Sequence, residues 1–304
     1  MVLPLLKKPG LDCEFKNFRP VSNLPFTSKL TERAVFEQIQ KHMCTNNLYP
    51  PYQSSYRRYF STEASLLRVK NDILLNMNKQ HLTLLILLDL SSAFDTVDHD
   101  ILLKRLSSKF AVSGTVLEWL RSYLDERCQR VLINTTQSSS FKLNFGVPQG
   151  SCLGPLLFTV YASKLFDVVK HHLPTVHCYA DDTQLYVSFS PNDETGQDEA
   201  VATVQRCVDD IRLWMSTDKL LLNDVKTEFV VIGTKQQLAK VQLNNIRIGQ
   251  CEITPTSSVR NLGVWFDSTL SMNSHINKTC SLAFYYLYSI RKLESTCLEK
   301  LLKS

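Results

Sequence analysis

Asp181 and Asp182 are adjacent carboxylates at the one break in a β-prone run, residues 176–189, VHCYADDTQLYVSF. Tyr179, Leu185, Val187 and Phe189 fall on one side of that run with more polar residues between them, the pattern of a hairpin with one half-buried face. A tight turn holds both acids in a fixed relation, and like charges that close are tolerated where a divalent cation compensates them. Asp89 offers a third oxygen ligand, at the end of the apolar run LTLLILL, residues 82–88. Such a run reads as a buried strand, and an acid at its end is expensive unless it faces a cation or a donor. If the two strands lie side by side in one antiparallel sheet, three carboxylates meet. That set can hold two Mg²⁺ ions, with Mn²⁺ as an alternative, about 3.5–4 Å apart for phosphoryl transfer. The chemistry works by positioning and charge neutralisation and needs no covalent intermediate. For Asp-Asp alone, the plain alternative is an ordinary Asp-rich turn.

Several elements must position these acids. Pro20 and Pro25 precede a helical stretch with Leu30, Val35, Phe36 and Ile39 on one side. The loop Gln53-Ser54-Ser55-Tyr56-Arg57-Arg58 follows, then a second helix capped at Ser61. After Asp89 come Phe94, Asp95 and a helix with Asp98 or Asp100 as its cap. Residues 116–124 read as an amphipathic helix and 130–145 as two strands around a TTQSSS turn. The loop Gly146-Val147-Pro148-Gln149-Gly150-Ser151 leads to an apolar helix opened by Gly154 and Pro155, and glycine there lets backbone approach a ligand. A helix over 199–215 turns Val204, Val208, Ile211 and Leu213 inward. Strands follow at 229–232 and 259–266, with a hairpin at 246–253 between them, and from His275 the pattern is helical again.

Composition bounds the function classes. The 304 residues are 44% hydrophobic and 21% charged, as expected of a globular protein with a substantial core. A net charge of +5 permits a polyanionic partner without demanding one. Nine cysteines are scattered with no CxxC pair, and the opening MVLPLLKKPG lacks the apolar core of a secretory signal. Both features point to an intracellular protein with reduced thiols. His171, His172, His177 and Cys178 cluster, but at a spacing that fits no familiar zinc pattern. The strongest apolar run is too short to cross a bilayer, so no membrane partner is expected.

Seven blocks add a resemblance: NFRPVSNL, QSSYR, LDLSSAFDTVDH, GVPQGSCLGPLLF, YADD, LLLNDVKTE and VRNLGV, in this order between residue 15 and about 267. In these blocks the chain resembles the reverse transcriptases of non-LTR (LINE-like) retrotransposons of the jockey and chicken-repeat type. The resemblance implies a right-hand polymerase of α+β class, with a reverse transcriptase domain over 1–267. Its fingers would lie mainly in 1–80 and part of 107–145, its palm would carry an antiparallel sheet, and 268–304 would begin a truncated thumb. It implies an RNA template, a DNA primer and dNTPs as partners, no particular protein partner, and the nucleus as the place of action. Asp89, Asp181 and Asp182 match the metal-binding catalytic triad. Phe94 matches the steric gate against a ribose 2′-OH, and Gln149 a contact to the incoming nucleotide. Lys226 matches the proton donor to pyrophosphate, a role suited to an ammonium beside polyphosphate. Arg19 and Arg57 match basic residues that hold the triphosphate, and Leu262 and Gly263 match the primer-grip turn.

Such elements carry an endonuclease upstream, and nothing in this chain corresponds to one. The first block begins almost at Met1 and the last helix stops at Ser304, the expectation for a truncated genomic copy. An RNA-directed DNA polymerase is the leading reading, and an inactive nucleic-acid-binding remnant of such a copy is the alternative. A two-metal palm with another substrate, as in an RNA-dependent RNA polymerase or a nucleotidyl cyclase, is a third; Phe94 and the GVPQGS block count against it. Arg291, Lys292, Lys300 and Lys303 lie in the severed thumb segment, which lacks the helices it would pack against, so residues from about 275 onward are expected to pack poorly against the palm and to bind duplex weakly.

Overall fold

The computed structural model describes residues 1–302 apart from Pro9, Ser92, Leu173, Pro174, Glu194 and Gln250. Lys303 therefore lies outside the described residues, as does the side chain of Lys300.

In chain order, β1 (Val2–Leu6) pairs with β2 (Phe18–Ser22), and α1 (Phe26–Thr45) and α2 (Thr62–Asn78) follow. Next, β3 (Leu82–Leu88) and β4 (Leu90–Ser91) flank Asp89 and lead into α3 (His99–Phe110) and α4 (Gly114–Leu124). Four two-residue strands come after: β5 (Cys128–Gln129), β6 (Leu132–Ile133), β7 (Thr136–Gln137) and β8 (Phe141–Lys142). α5 (Gly154–Tyr161) and α6 (Lys164–Val169) precede β9 (Val176–Tyr179), β10 (Asp182–Phe189) and α7 (Gly196–Thr217). The rest comprises β11 (Leu221–Leu222), β12 (Glu228–Ile232), α8 (Lys235–Leu238), β13 (Ile246–Ile248) and β14 (Cys251–Ile253). β15 (Ser258–Asn261), β16 (Val264–Asp267) and α9 (Asn273–Leu302) complete it.

Helix starts follow local chemistry. The Ser61 hydroxyl accepts from the Ala64 amide at 3.2 Å, and the Asp98 carboxylate accepts from the Ile101 amide at 3.0 Å. Pro155 sits in the first turn of α5, where its missing N–H is harmless.

The central sheet has the order β12-β3-β10-β9, antiparallel throughout. β3 is interior and apolar at every position but Thr83, so it serves two layers at once. Leu84, Ile86 and Leu88 join a core with α3, α5, α6 and α7, while Leu85 turns the other way. On that second side Leu66, Val69 and Ile73 of α2 pack with Val259 and Phe266 of the β15–β16 hairpin.

This second layer corrects the half-buried hairpin expected for 176–189. His177, Gln184 and Tyr186 are buried as well, and Gln184 and Tyr186 pair with polar atoms on segments distant in sequence. The Tyr186 hydroxyl donates to Asp72 at 2.5 Å, and the Asn261 amide donates to Gln184 at 2.9 Å. The His177 ring packs edge-on to Tyr52 and parallel to Tyr186, and burial pushes its pKa down to about 4. His172 instead contacts Asp210 at 2.7 Å. Among the described residues no such His/Cys group could hold a metal ion.

Other expectations shift for simple reasons. Leu30 is 61% exposed and Leu213 70%. Each stands nine positions from a buried partner, Ile39 and Val204, which is about half a turn away on a helix. Residues 128–142 form two nested ladders, β6–β7 inside β5–β8, and the chain reverses at Asn134 (φ 53°) rather than through TTQSSS. Residues 259–266 are a hairpin, β15–β16, not one strand.

A buried ion pair ties the helices behind the sheet. Arg105 of α3 meets Asp218, just past α7, at 2.6 Å, with side chains only 10% and 5% exposed. The Arg105 guanidinium also donates to the Tyr161 carbonyl, while the Trp214 indole and the Tyr161 hydroxyl donate to Asp218. Removing one member strands a buried charge. Asp218→Ala should lower unfolding free energy by about 3–5 kcal/mol in urea denaturation; a loss under about 1 kcal/mol would show that Arg105 finds another partner.

Candidate active site

Asp89 stands between β3 and β4, where the sheet splits. Its carbonyl accepts from the Asn223 amide at 2.9 Å, and Leu90 pairs with Leu222 of β11. The other two acids come from the β9–β10 hairpin. Tyr179 pairs with Asp182, leaving Ala180 and Asp181 as a two-residue turn. Ala180 has φ 59° and Asp181 is not left-handed, the II′ arrangement that usually takes glycine first. On the other edge of β10, Thr183 pairs with Leu88, so one further step sets Asp182 opposite Asp89. The sheet thus brings all three expected acids to one end.

Their electrostatics reflect that crowding. Burial pushes Asp182 up to about 6, and the charges of Asp181 and Asp89 push the same way. The Asp182 side chain keeps an open edge to water, which screens part of this effect. Asp181 is raised chiefly by burial and further by Asp89, with Arg19 on β2 opposing. The Lys226 ammonium, in the short turn Asp224–Lys226, lies 3.1 Å from the Asp89 carboxylate. All three acids offer hard oxygen donors, and their mutual repulsion is what a divalent cation relieves, so the donor set fits Mg²⁺ or Mn²⁺. Among the described residues no three acidic, His or Cys side chains stand close enough to hold an ion together. The triad is therefore a set of neighbouring carboxylates and not a closed cage.

The remaining expected residues have contacts of their own. Phe94 is half-buried, its ring stacked on Phe158 with centroids 4.9 Å apart. Gln149 donates its amide to both carboxylate oxygens of Asp95 at 2.9 Å, and its carbonyl accepts from the Ser22 amide at 2.7 Å. A side chain at Gly146 (φ +85°) would meet the Asp95 carbonyl at 2.9 Å, so glycine is needed for this approach. A pocket of about 200 Å³ opens here, lined by Pro20, Ser22, Asp95, His99, Phe145 and Gln149 among others. A larger apolar groove of about 480 Å³, against Val35, Val116 and Trp119, is lined by none of the expected site residues. Arg57 does not point freely outward: its guanidinium lies 4.2 Å from the Phe60 ring centroid and 4.9 Å from that of Tyr49. Leu262 and Gly263, both at positive φ, form the β15–β16 turn.

Sequence reasoning passed over two residues. Asp95 orients Gln149, and burial raises its pKa while that hydrogen bond lowers it. Tyr56 has its hydroxyl pushed up to about 12, by burial first and then by the charges of Asp181, Tyr179 and Asp182. The QSSYR block was the available signal for Tyr56.

Comparison with known proteins identifies the family. A family model described as reverse transcriptase (RNA-dependent DNA polymerase) matches residues 6–266, and the chain belongs to that family. It is 26% identical over 298 residues to the probable RNA-directed DNA polymerase from transposon BS of Drosophila melanogaster, covering 95% of this chain and 32% of that relative. It is 27% identical over 269 residues to the RNA-directed DNA polymerase from mobile element jockey of Drosophila melanogaster, covering 86% and 28%. These relatives place it among the LINE-like reverse transcriptases, and the chain spans about a third of their length. Among solved structures it resembles telomerase from Candida tropicalis in complex with the TWJ fragment of telomeric RNA. That match has TM-score 0.56 at 14% identity, over 81% of this chain and 37% of that one. It identifies the fold as an α+β right-hand polymerase.

The raised acids make stability depend on pH. The fold favours their protonated forms, so this contribution is whole below about pH 4 and is lost as pH rises through about 6. In metal-free buffer Asp182→Asn should therefore be more stable than the parent at pH 8, by on the order of 1 kcal/mol after discounting for solvent. Urea denaturation should show the two converging near pH 4. A parent more stable than the variant at pH 8 would contradict the crowding.

Proposed function

We propose that this chain is the polymerase module of a longer RNA-directed DNA polymerase, extending a DNA primer on an RNA template with dNTPs. One observation carries the reading: Asp89 and the Asp181–Asp182 turn meet at adjacent ends of one antiparallel sheet. In this reading residues 1–80 and part of 107–145 are the fingers, the central sheet and its helices the palm, and 268–304 the start of the thumb. The nucleus is the proposed place of action.

Asp89, Asp181 and Asp182 would hold two Mg²⁺ ions, or Mn²⁺. When bound, the ions supply charge neutralisation at the triphosphate and favour the ionised primer 3′-hydroxyl. The 3′-oxygen attacks the α-phosphorus as the bond to pyrophosphate breaks. Lys226, already beside Asp89, can give a proton to the departing pyrophosphate oxygen. Arg19, exposed on β2 and within the field of Asp181, would attract the triphosphate. The fingers arginine Arg57 would act there only by leaving its two aromatic rings. Gln149, oriented by Asp95, would meet the incoming nucleotide, Phe94 would crowd a 2′-hydroxyl, and Leu262-Gly263 would grip the primer end.

Primer extension on an RNA template tests the reading. The parent should extend a DNA primer only with Mg²⁺ or Mn²⁺, and Asp181→Asn should lose about two to three orders of magnitude while keeping its melting temperature. Binding of primer–template without metal-dependent extension would instead support the inactive remnant. For the sugar gate, Phe94→Ala should raise ribonucleotide relative to deoxyribonucleotide incorporation; an unchanged ratio in an active variant returns Phe94 to the core beside Phe158. α9 leaves Phe284, Tyr285, Leu287, Tyr288 and Leu293 exposed, so it offers little clamp to a duplex. Products should be a few nucleotides per encounter under single-hit conditions and shorter at raised salt. Long products from this chain would contradict that view of α9.

A further inference from the structure

We infer that Gln53 is a positioning residue for this reaction, a clamp that holds the Asp181-bearing turn in its left-handed geometry. The inference rests on the polymerase reading above and deepens it. Residues 52–54 run alongside β9 as a fragment of a further strand. The Cys178 amide donates to the Tyr52 carbonyl at 2.9 Å, and the Ser54 amide donates to the Cys178 carbonyl at 3.0 Å. Where this backbone pairing stops, the Gln53 side chain takes over. Its amide nitrogen donates to the Ala180 carbonyl at 3.2 Å, and its oxygen accepts from the Ala180 amide at 3.1 Å.

Both contacts need one group that donates and accepts, which a carboxamide does and a carboxylate does not. Gln53 is 1% exposed, so an amide there without partners would be strongly disfavoured. Its oxygen is further held by the Ser55 amide at 3.1 Å and the Ser55 hydroxyl at 2.8 Å. The clamped residue is the one that requires holding, because Ala180 has φ 59°, a conformation that alanine disfavours and glycine accepts. Asp181 is the next residue along the turn.

The clamp is itself anchored. Arg57 donates to the Gln53 carbonyl at 3.2 Å while its guanidinium lies against Phe60 and Tyr49. A chain of contacts thus runs from these rings through Arg57 and Gln53 to the turn that carries Asp181. Arg57 serves the site through this anchor. Gln53 acts through Asp181, so its loss should slow chemistry and leave nucleotide binding largely intact.

Gln53→Met keeps the side-chain volume and removes both bonds to Ala180, along with the two to Ser55. Three readouts apply: hydrogen exchange of the Ala180 amide in metal-free protein, kcat, and KM for dNTP on an RNA template with a DNA primer. We expect exchange at Ala180 to quicken by about tenfold or more. We expect kcat to fall by on the order of a hundredfold, with KM within about twofold of the parent. Adding Ala180→Gly to Gln53→Met should restore about tenfold or more of the lost kcat, because glycine holds the turn unaided. A general packing defect would not be repaired by that glycine. Unchanged exchange at Ala180, an unchanged kcat, or a kcat loss that glycine fails to recover would each overturn the clamp. A parent chain that extends no primer would count against the polymerase reading, and exchange at Ala180 would still decide the clamp.

Discussion

The structure depends on the antiparallel register between β10 and β3, in which Thr183 stands opposite Leu88. Register in a sheet is set by which residues can be buried on each face, and a slip of one residue would turn every side chain over. Here both faces are committed. Leu84, Ile86 and Leu185 face the helical core, while Leu85, Tyr186 and Val230 face α2 and the β15–β16 hairpin. Core packing therefore places the acids: with the sheet locked residue by residue, its ends bring Asp182 up to Asp89 without any attraction between them.

The attraction is in fact reversed. Burial and like charge raise both acids of the turn, and the compensating groups stand at the margin: Arg19 toward Asp181 and Lys226 on Asp89. A site that the fold assembles against electrostatic repulsion suits the proposed action on a polyphosphate with divalent cations. The same economy appears behind the sheet, where Arg105 and Asp218 are buried only because Tyr161 and Trp214 complete their hydrogen bonding.

Much of this was legible in the sequence because the signals were local. The run LTLLILL, apolar but for Thr83, reads as an inner strand, and an Asp at its end has to meet something polar. Ser61, Asp98 and Pro155 mark helix starts by chemistry that acts within one turn. The second buried face of the hairpin was not legible. Gln184 and Tyr186 look solvent-facing by periodicity, and their partners Asn261 and Asp72 lie far off in the chain. Gln53 was hidden for the same reason, since its partner Ala180 is 127 residues away. Leu30 and Leu213 misled in the other direction, as apolar residues on the outer side of their helices.

The central proposal is that Asp89 and the Asp181–Asp182 turn come together on one cation by virtue of the sheet. Titration of the chain with Mn²⁺, followed by electron paramagnetic resonance without nucleotide or primer, tests it most directly. Asp89→Asn and Asp181→Asn should each weaken Mn²⁺ binding to a similar extent, and the double variant should be little worse than either. Mn²⁺ binding that survives Asp89→Asn intact would contradict the account, since the turn would then hold its ion without the strand beside it.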